Sequence, residues 1–245
     1  MKRPEVVNMT TVRELRELRV EDFRNVPLNP HEFLHMATLC EAYWRHDGDP
    51  SRPHAELTSG LCGDGFIDIL RVLRYSNLCH IAAAALVRLI REWYPGQVDW
   101  VVGSDHAAAA LSHSVAIHIG AQHDFTEKGP NGEQQWRRFT VRPGEVVLQV
   151  EELITTAKTL LAVRKGMRAA HLPAEFSFAP VSAVLVYQGK HFDQIIDGLP
   201  RVEGWPVLSF VQMNINTWTP QECPLCKAGS KRLRPKLHWR ALTEP

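Results

Sequence analysis

The stretch EVVLQVEELITTAKTL, residues 145–160, decides how this chain is read. Residues 145–150 form an apolar run of the length expected for a buried strand. The run ends in two adjacent carboxylates, Glu151 and Glu152. Thr155, Thr156 and Thr159 follow, around the start of a helix expected over 156–170. Free backbone N–H groups at a helix start, together with hydroxyl donors, make a cradle for a phosphate. Carboxylates one step earlier would repel that phosphate unless they served another part of the same ligand. Sugar hydroxyls, or a magnesium ion bridging to a second phosphate, meet both conditions. The spacing points to a phosphate at one end of a ligand and a polyol in its middle, as in ribose 5-phosphate. The competing reading is a pair of solvated glutamates that favour the helix dipole. Neither nucleotide-phosphate signature, GxxxxGK[ST] or GxGxxG, occurs in the chain.

Outward from this stretch, strand and helix patterns alternate. Strands are expected at 98–102, 122–126, 136–141, 181–187 and 207–212. The stretch GSDHAAAA is expected to be a loop leading into a helix that ends at Gly120. Ser76 or Asn77 caps a long helix that stops before Pro95-Gly96. This order implies βαβ units and a mostly parallel sheet flanked by helices, an α/β fold. Ligands of such sheets sit outside the carboxyl ends of the strands, where Glu151 and Glu152 are expected. Before the sheet, TVRELRELRV (11–20) predicts an amphipathic helix. Asn29-Pro30 opens another, expected to reach about residue 44. Residues 51–66 read as loop, and FIDILRVL (66–73) as a strand. The chain divides into N-terminal helices with a hood segment (1–75), a core (76–215) and a short C-terminal accessory tail (216–245).

Composition narrows the function. At 245 residues and 44% hydrophobic content, the chain can bury a full core. A formal net charge of +1 gives no global reason to bind nucleic acid or an anionic membrane. The longest apolar stretch, IAAAALV at 81–87, is too short to span a bilayer. The first residues lack the apolar segment of a signal peptide. The five cysteines are expected as reduced thiols in a cytoplasm.

At this point the residues resemble a known family. VVLQVEELITTAKTL resembles the phosphoribosyl-pyrophosphate (PRPP) motif of the type I phosphoribosyltransferases: four hydrophobics, two acids, a hydrophobic, any residue, two small or hydroxyl residues, Gly, any residue, and Thr or Ser. VVGSDHAAAALSHSVA (101–116) resembles the family's pyrophosphate loop. HDFTEKGPNGEQQWRRF (123–139) is similar to its mobile basic loop. HAELTSGLCGDGFID (54–68) is similar to the hood segment of orotate phosphoribosyltransferases. The resemblance covers roughly residues 54–190.

The resemblance implies a role for each matching residue. Glu151 and Glu152 would hold the ribose hydroxyls. Thr155, Thr156, Ala157, Lys158 and Thr159 would bind the 5-phosphate. Ser104, Asp105 and His106 would lie against pyrophosphate and its Mg²⁺, which Glu151 and Glu152 could also approach. Lys128 would reach the leaving group, and Thr58, Ser59 and Gly60 would approach the base. The implied activity is Mg²⁺-dependent transfer of ribose 5-phosphate from PRPP to a nitrogenous base, orotate-type first, with release of pyrophosphate. A homodimer acting in pyrimidine and nucleotide metabolism is implied as well. Losing pyrophosphate from C1 builds positive charge on the sugar and negative charge on the departing oxygens. Positioning, charge neutralisation and exclusion of water are the work left to the protein.

This chain departs from the family pattern in three places. Both acids are Glu where the family often has Asp. The phosphate-loop Gly is Ala157, and the pyrophosphate-loop Gly corresponds to Ala107 or Ala108. Alanine hinders a positive φ and close backbone approach. These alanines favour a rival function, a non-catalytic PRPP- or nucleotide-binding regulator on the same fold. Lys128 favours the enzyme.

Two stretches lie outside the motif. CPLC, Cys223–Cys226, is half of a zinc site, since tetrahedral Zn²⁺ needs four ligands. His238 is a candidate third; Cys40, Cys62 and Cys79 qualify if folded nearby, and a second copy could also complete the set. A tight turn with reduced thiols is the favoured reading, and structural zinc is the alternative. AGSKRLRPKLHWR (228–240) is either a solvated surface or a basic arm folded back, with Trp239 as its anchor.

Overall fold

The strand at the centre of the fold is Val146–Ile154, parallel to Trp100–Gly103 on one side and to Ser177–Gln188 on the other. Val147, Leu148 and Val150 are completely buried, as expected of a strand covered on both faces. The computed structural model describes residues 3–173, 175–189, 194–196 and 199–244. Within these, the main sheet has seven strands. Gln122–Phe125 forms one parallel edge beyond Trp100–Gly103. Trp205–Met213 lies parallel to Ser177–Gln188, and Leu199–Val202 and Gln194–Ile196 extend that side antiparallel. The α/β architecture expected from the alternation is the one present.

Two helices, Ser76–Trp93 and His106–Ile119, pack on one face of the sheet, with Ile81, Leu86, Leu111 and Val115 in the larger core. Lys158–Ala170 covers the other face with Leu160, Val163 and Met167. Gly120 ends the middle helix in a left-handed cap at φ 81°.

The N-terminal region is helical, with capping boxes at Thr11/Glu14 and Asn29/Glu32. The first helix, Val12–Arg16, is shorter than its periodicity suggested. The second runs Pro30–Leu39 and stops well before residue 44. Glu41 turns left-handed at φ 56°, and Tyr43–Arg45 pairs antiparallel with Gly65–Ile67. A strand partner overrides the helical pattern there. The same partner limits the expected 66–73 strand to its first two residues, and Leu70–Leu73 is a turn of helix. Residues 51–66 contain the strands His54–Glu56 and Cys62–Gly63. These join Thr217–Trp218 and Arg232–Leu233 in a second, four-stranded sheet, so hood segment and tail share one ladder.

Residues 136–141 are not the strand their composition suggested. A hairpin, Glu127–Lys128 with Gln134–Gln135, forms instead. Trp136 leaves it to stack edge-on against Trp100 at 5.7 Å. The hairpin crosses the outer face of Lys158–Ala170 at Gly166. A Cβ at that position would stand 2.0 Å from the Gln134 carbonyl oxygen, so only glycine admits the crossing.

Candidate active site at the carboxyl ends of the sheet

Three loops meet where the central strands end. Trp100–Gly103 runs into Ser104 and Asp105, which precede the helix His106–Ile119. Val146–Ile154 runs into Thr155–Ala157, which precede the helix Lys158–Ala170. The Ser104 hydroxyl donates to Glu151 Oε2 at 2.7 Å and ties the two loops together. The central strand is longer than expected. It continues through both glutamates to Ile154, and the alternation of a strand sends neighbouring side chains opposite ways.

Glu151 sits on the face of Gln149, whose side-chain amide donates to Glu151 Oε1 at 3.2 Å and to the Leu160 carbonyl at 3.1 Å. The carboxyl is 2% exposed. Burial pushes its pKa up to about 8, with the Glu152 charge adding to the rise and the Ser104 hydroxyl opposing it. Glu152 is half-buried and closer to solvent. Burial raises its pKa as well. Its own and Leu153's N–H groups counter that effect, while the Asp105 and Asp68 carboxylates reinforce it. Asp105, Asp68 and Glu152 thus share one acidic neighbourhood.

The start of Lys158–Ala170 differs from the N-terminal helices. It has no side-chain cap and no acid in its first turn. Its first N–H groups therefore have no capping acceptor on the helix side, and the dipole there favours an anion. Thr155, Thr156, Lys158 and Thr159 are exposed around this end. Ala157 adopts φ 57°, the left-handed conformation that glycine enters without strain. The alanine thus takes up the backbone geometry of the glycine that the motif would place there, at a cost of roughly 1–2 kcal/mol. In the other loop Ala108 is completely buried and Asp105 has φ −50°, while the His106 side chain is 98% exposed.

Sequence reading missed the layer beneath these loops. Arg164 donates to Gln149 Oε1 at 3.2 Å and to Ser182 Oγ at 2.9 Å. Its guanidinium lies 3.8 Å from the Trp205 ring centre and 4.5 Å from that of Phe178. Burial, with Arg168 nearby, lowers its pKa to about 10, so it stays charged at neutral pH. A chain of contacts therefore runs Ser104–Glu151–Gln149–Arg164–Ser182. The signal for it was a glutamine inside an otherwise apolar strand.

The remaining candidates stand apart from this cluster. Lys128 is exposed on the hairpin, whose arginines are engaged: Arg138 pairs with Asp124 and Glu127, and Arg137 with Glu127. Thr58, Ser59 and Gly60 form the exposed tip of the hood hairpin, beside a cavity of about 240 Å³ that the C-terminal residues 234–237 also line. The tail folds back onto its own chain. Arg232 and Arg234 pair with Glu56, and Lys236 with Asp68, while Trp239 packs edge-on against Phe66 beneath the Arg71 guanidinium. His238 is exposed and does not join Cys223 and Cys226. The residues that do are His54 and Cys62.

No family model matches the chain. Individual proteins do. An orotate phosphoribosyltransferase of Heliobacterium modesticaldum is 28% identical over 182 residues, 74% of this chain and 88% of that protein. One from Acidithiobacillus ferrooxidans is 29% identical over 194 residues, 79% and 93%. Among solved structures, orotate phosphoribosyltransferase from Aeropyrum pernix superposes with a TM-score of 0.55 at 16% identity, covering 72% of this chain and 91% of that one. Leishmania donovani UMP synthase superposes with a TM-score of 0.50 at 15% identity, covering 78% of this chain and 36% of the other. These superpositions carry the fold.

Proposed function

We propose that this chain is an orotate-like type I phosphoribosyltransferase, which transfers ribose 5-phosphate from PRPP to an orotate-type pyrimidine and releases pyrophosphate. The observation that carries this reading is the joined pair of loops. Ser104–Asp105 and Thr155–Thr159 open side by side, bridged by Glu151, at the edge where α/β sheets bind ligands.

In this reading the uncapped start of Lys158–Ala170 receives the 5-phosphate, with Thr155, Thr156 and Thr159 as hydroxyl donors and Lys158 as counter-charge. Glu152 is the carboxylate open to the ribose hydroxyls. Glu151 holds Ser104 in place and reaches the sugar only by exchanging that bond. Ser104, Asp105 and His106 line the pyrophosphate side. The C1–oxygen bond of PRPP breaks with its electron pair leaving on pyrophosphate, a ring nitrogen of the base bonds to C1, and the proton that nitrogen carried passes to the departing pyrophosphate or to solvent. Lys128, brought over the site by its hairpin, would neutralise the departing oxygens.

Mg²⁺ fits the donor set. Asp105, Asp68 and Glu152 are carboxylates close enough to repel one another, beyond the burial that chiefly raises the Glu152 pKa, and a hard divalent cation prefers carboxylate and phosphate oxygens. When bound, the ion would supply charge neutralisation on the pyrophosphate. Asp105 and Glu152 are the residues placed to meet it. Thr58, Ser59 and Gly60 on the hood tip would face the base. We infer a cytoplasmic homodimer by analogy with the family. Among the described residues, no helix is long and apolar enough to cross a membrane.

The test is incubation with PRPP, Mg²⁺ and a panel of pyrimidine and purine bases, following pyrophosphate release. Turnover with orotate is expected. Tight PRPP binding without turnover for any base would replace this reading with the regulator.

A further inference from the structure

We propose that His54, Cys62, Cys223 and Cys226 form a structural zinc site that clamps the C-terminal segment onto the hood hairpin. Residues from two ends of the chain converge there, and their ligand atoms all lie within 4.8 Å of one another. Cys62 Sγ is 3.6 Å from Cys226 Sγ. His54 Nε2 is 3.6 Å from Cys223 Sγ and 3.4 Å from Cys226 Sγ. A tetrahedron with Zn–S near 2.3 Å and Zn–N near 2.0 Å has edges of roughly 3.5–3.8 Å. Three of the six separations lie close to those edges, and the whole set falls within 4.8 Å. They are far from the roughly 2.05 Å of a disulfide.

The surroundings suit a metal ligand set. His54 Nδ1 stands 2.8 Å from Ser230 Oγ, and that hydroxyl donates to the Arg52 carbonyl at 2.6 Å. The serine proton is thus committed, so Nδ1 donates and Nε2 presents its lone pair to the three sulfurs. An imidazole oriented through its other nitrogen is the usual outer shell of a metal-bound histidine. The Cys226 N–H donates to Cys223 Sγ at 3.4 Å, which favours a thiolate. His54, Cys62 and Cys223 are completely buried. Without a metal, a histidine acceptor and three thiols would fill a buried polar pocket with weak contacts only. Binding releases three thiol protons to solvent and leaves a cluster of net charge −1.

The consequence is mechanical. His54 and Cys62 bracket the hairpin that carries Thr58, Ser59 and Gly60, and the metal would close a loop from there to residue 226. Such a closure constrains the unfolded chain and adds metal affinity to folding. The proposal does not depend on the catalytic reading, and its test uses no turnover.

The full chain, purified without chelator or a histidine tag, is expected to carry one zinc per chain by elemental analysis. Exchange with Co²⁺ should give the intense visible bands and thiolate charge transfer of tetrahedral coordination. His54→Cys, which keeps four ligands, should retain the metal, and His238→Ala should leave it unchanged. Absence of both zinc and cobalt uptake in the wild-type chain overturns the proposal. A Cys62–Cys226 disulfide in the native protein by mass spectrometry overturns it too. So does metal lost on His238→Ala but kept on His54→Ala.

Discussion

Glu151→Gln isolates the cost of ionising a carboxyl inside the protein. The group is 2% exposed, and its pKa is raised from 4.5 to about 8, chiefly by burial. A folded-state pKa above the unfolded one means that the native protein binds a proton more tightly than the unfolded chain. Stability from this group is full below about pH 4.5, falls as pH rises, and levels off above about 8. The slope inside that window approaches 1.4 kcal/mol per pH unit, and its integral has a ceiling near 5 kcal/mol. Glutamine has nearly the same shape, accepts from Ser104 through its carbonyl and cannot ionise. Urea unfolding of both proteins without ligand at pH 5.5 and 7.5 gives the comparison. The wild type should lose about 1–3 kcal/mol relative to the variant over that interval, with other titrating groups cancelling. Parallel stability curves would refute the claim that Glu151 is desolvated and proton-holding.

Three further outcomes are expected. Ala157→Gly removes a strained left-handed alanine and should stabilise the protein by about 1 kcal/mol in thermal unfolding while tightening PRPP binding. Lys128→Ala should leave PRPP affinity nearly unchanged by calorimetry and cut kcat by about 10²-fold or more, in keeping with the loss of one charge-stabilising contact. Gly166→Ala puts a methyl group against the Gln134 carbonyl. It should displace the 127–135 hairpin and speed tryptic cleavage after Lys128 and Arg137, with a stability loss of about 1–3 kcal/mol.

The comparison of sequence with structure shows where local pattern suffices. Strand–helix alternation from residue 98 onward survived except at 136–141, because a parallel strand buried on both faces needs a continuous apolar run whatever its neighbours. The cap at Asn29 was equally legible, since a capping box is a contact between residues three apart. Boundaries set by a distant partner were not. Helix 30–39 ends where Tyr43–Arg45 finds Gly65–Ile67, and nothing within residues 30–44 announces that pairing.

The site divides in the same way. By itself the sequence determined the strand end and the helix start across residues 151–159, because an apolar strand, a hydroxyl-rich turn and a helix start are set by neighbouring residues. Only the tertiary structure decided that Glu151 serves Ser104 and Gln149 while Glu152 stays near solvent, and that Arg164 holds Gln149 from the next layer. It also decided that Cys223 and Cys226 meet His54 and Cys62 rather than His238. Those outcomes depend on which surfaces pack together, and packing joins residues that the chain holds far apart, 47 positions for Ser104 and Glu151 and 164 for Cys62 and Cys226.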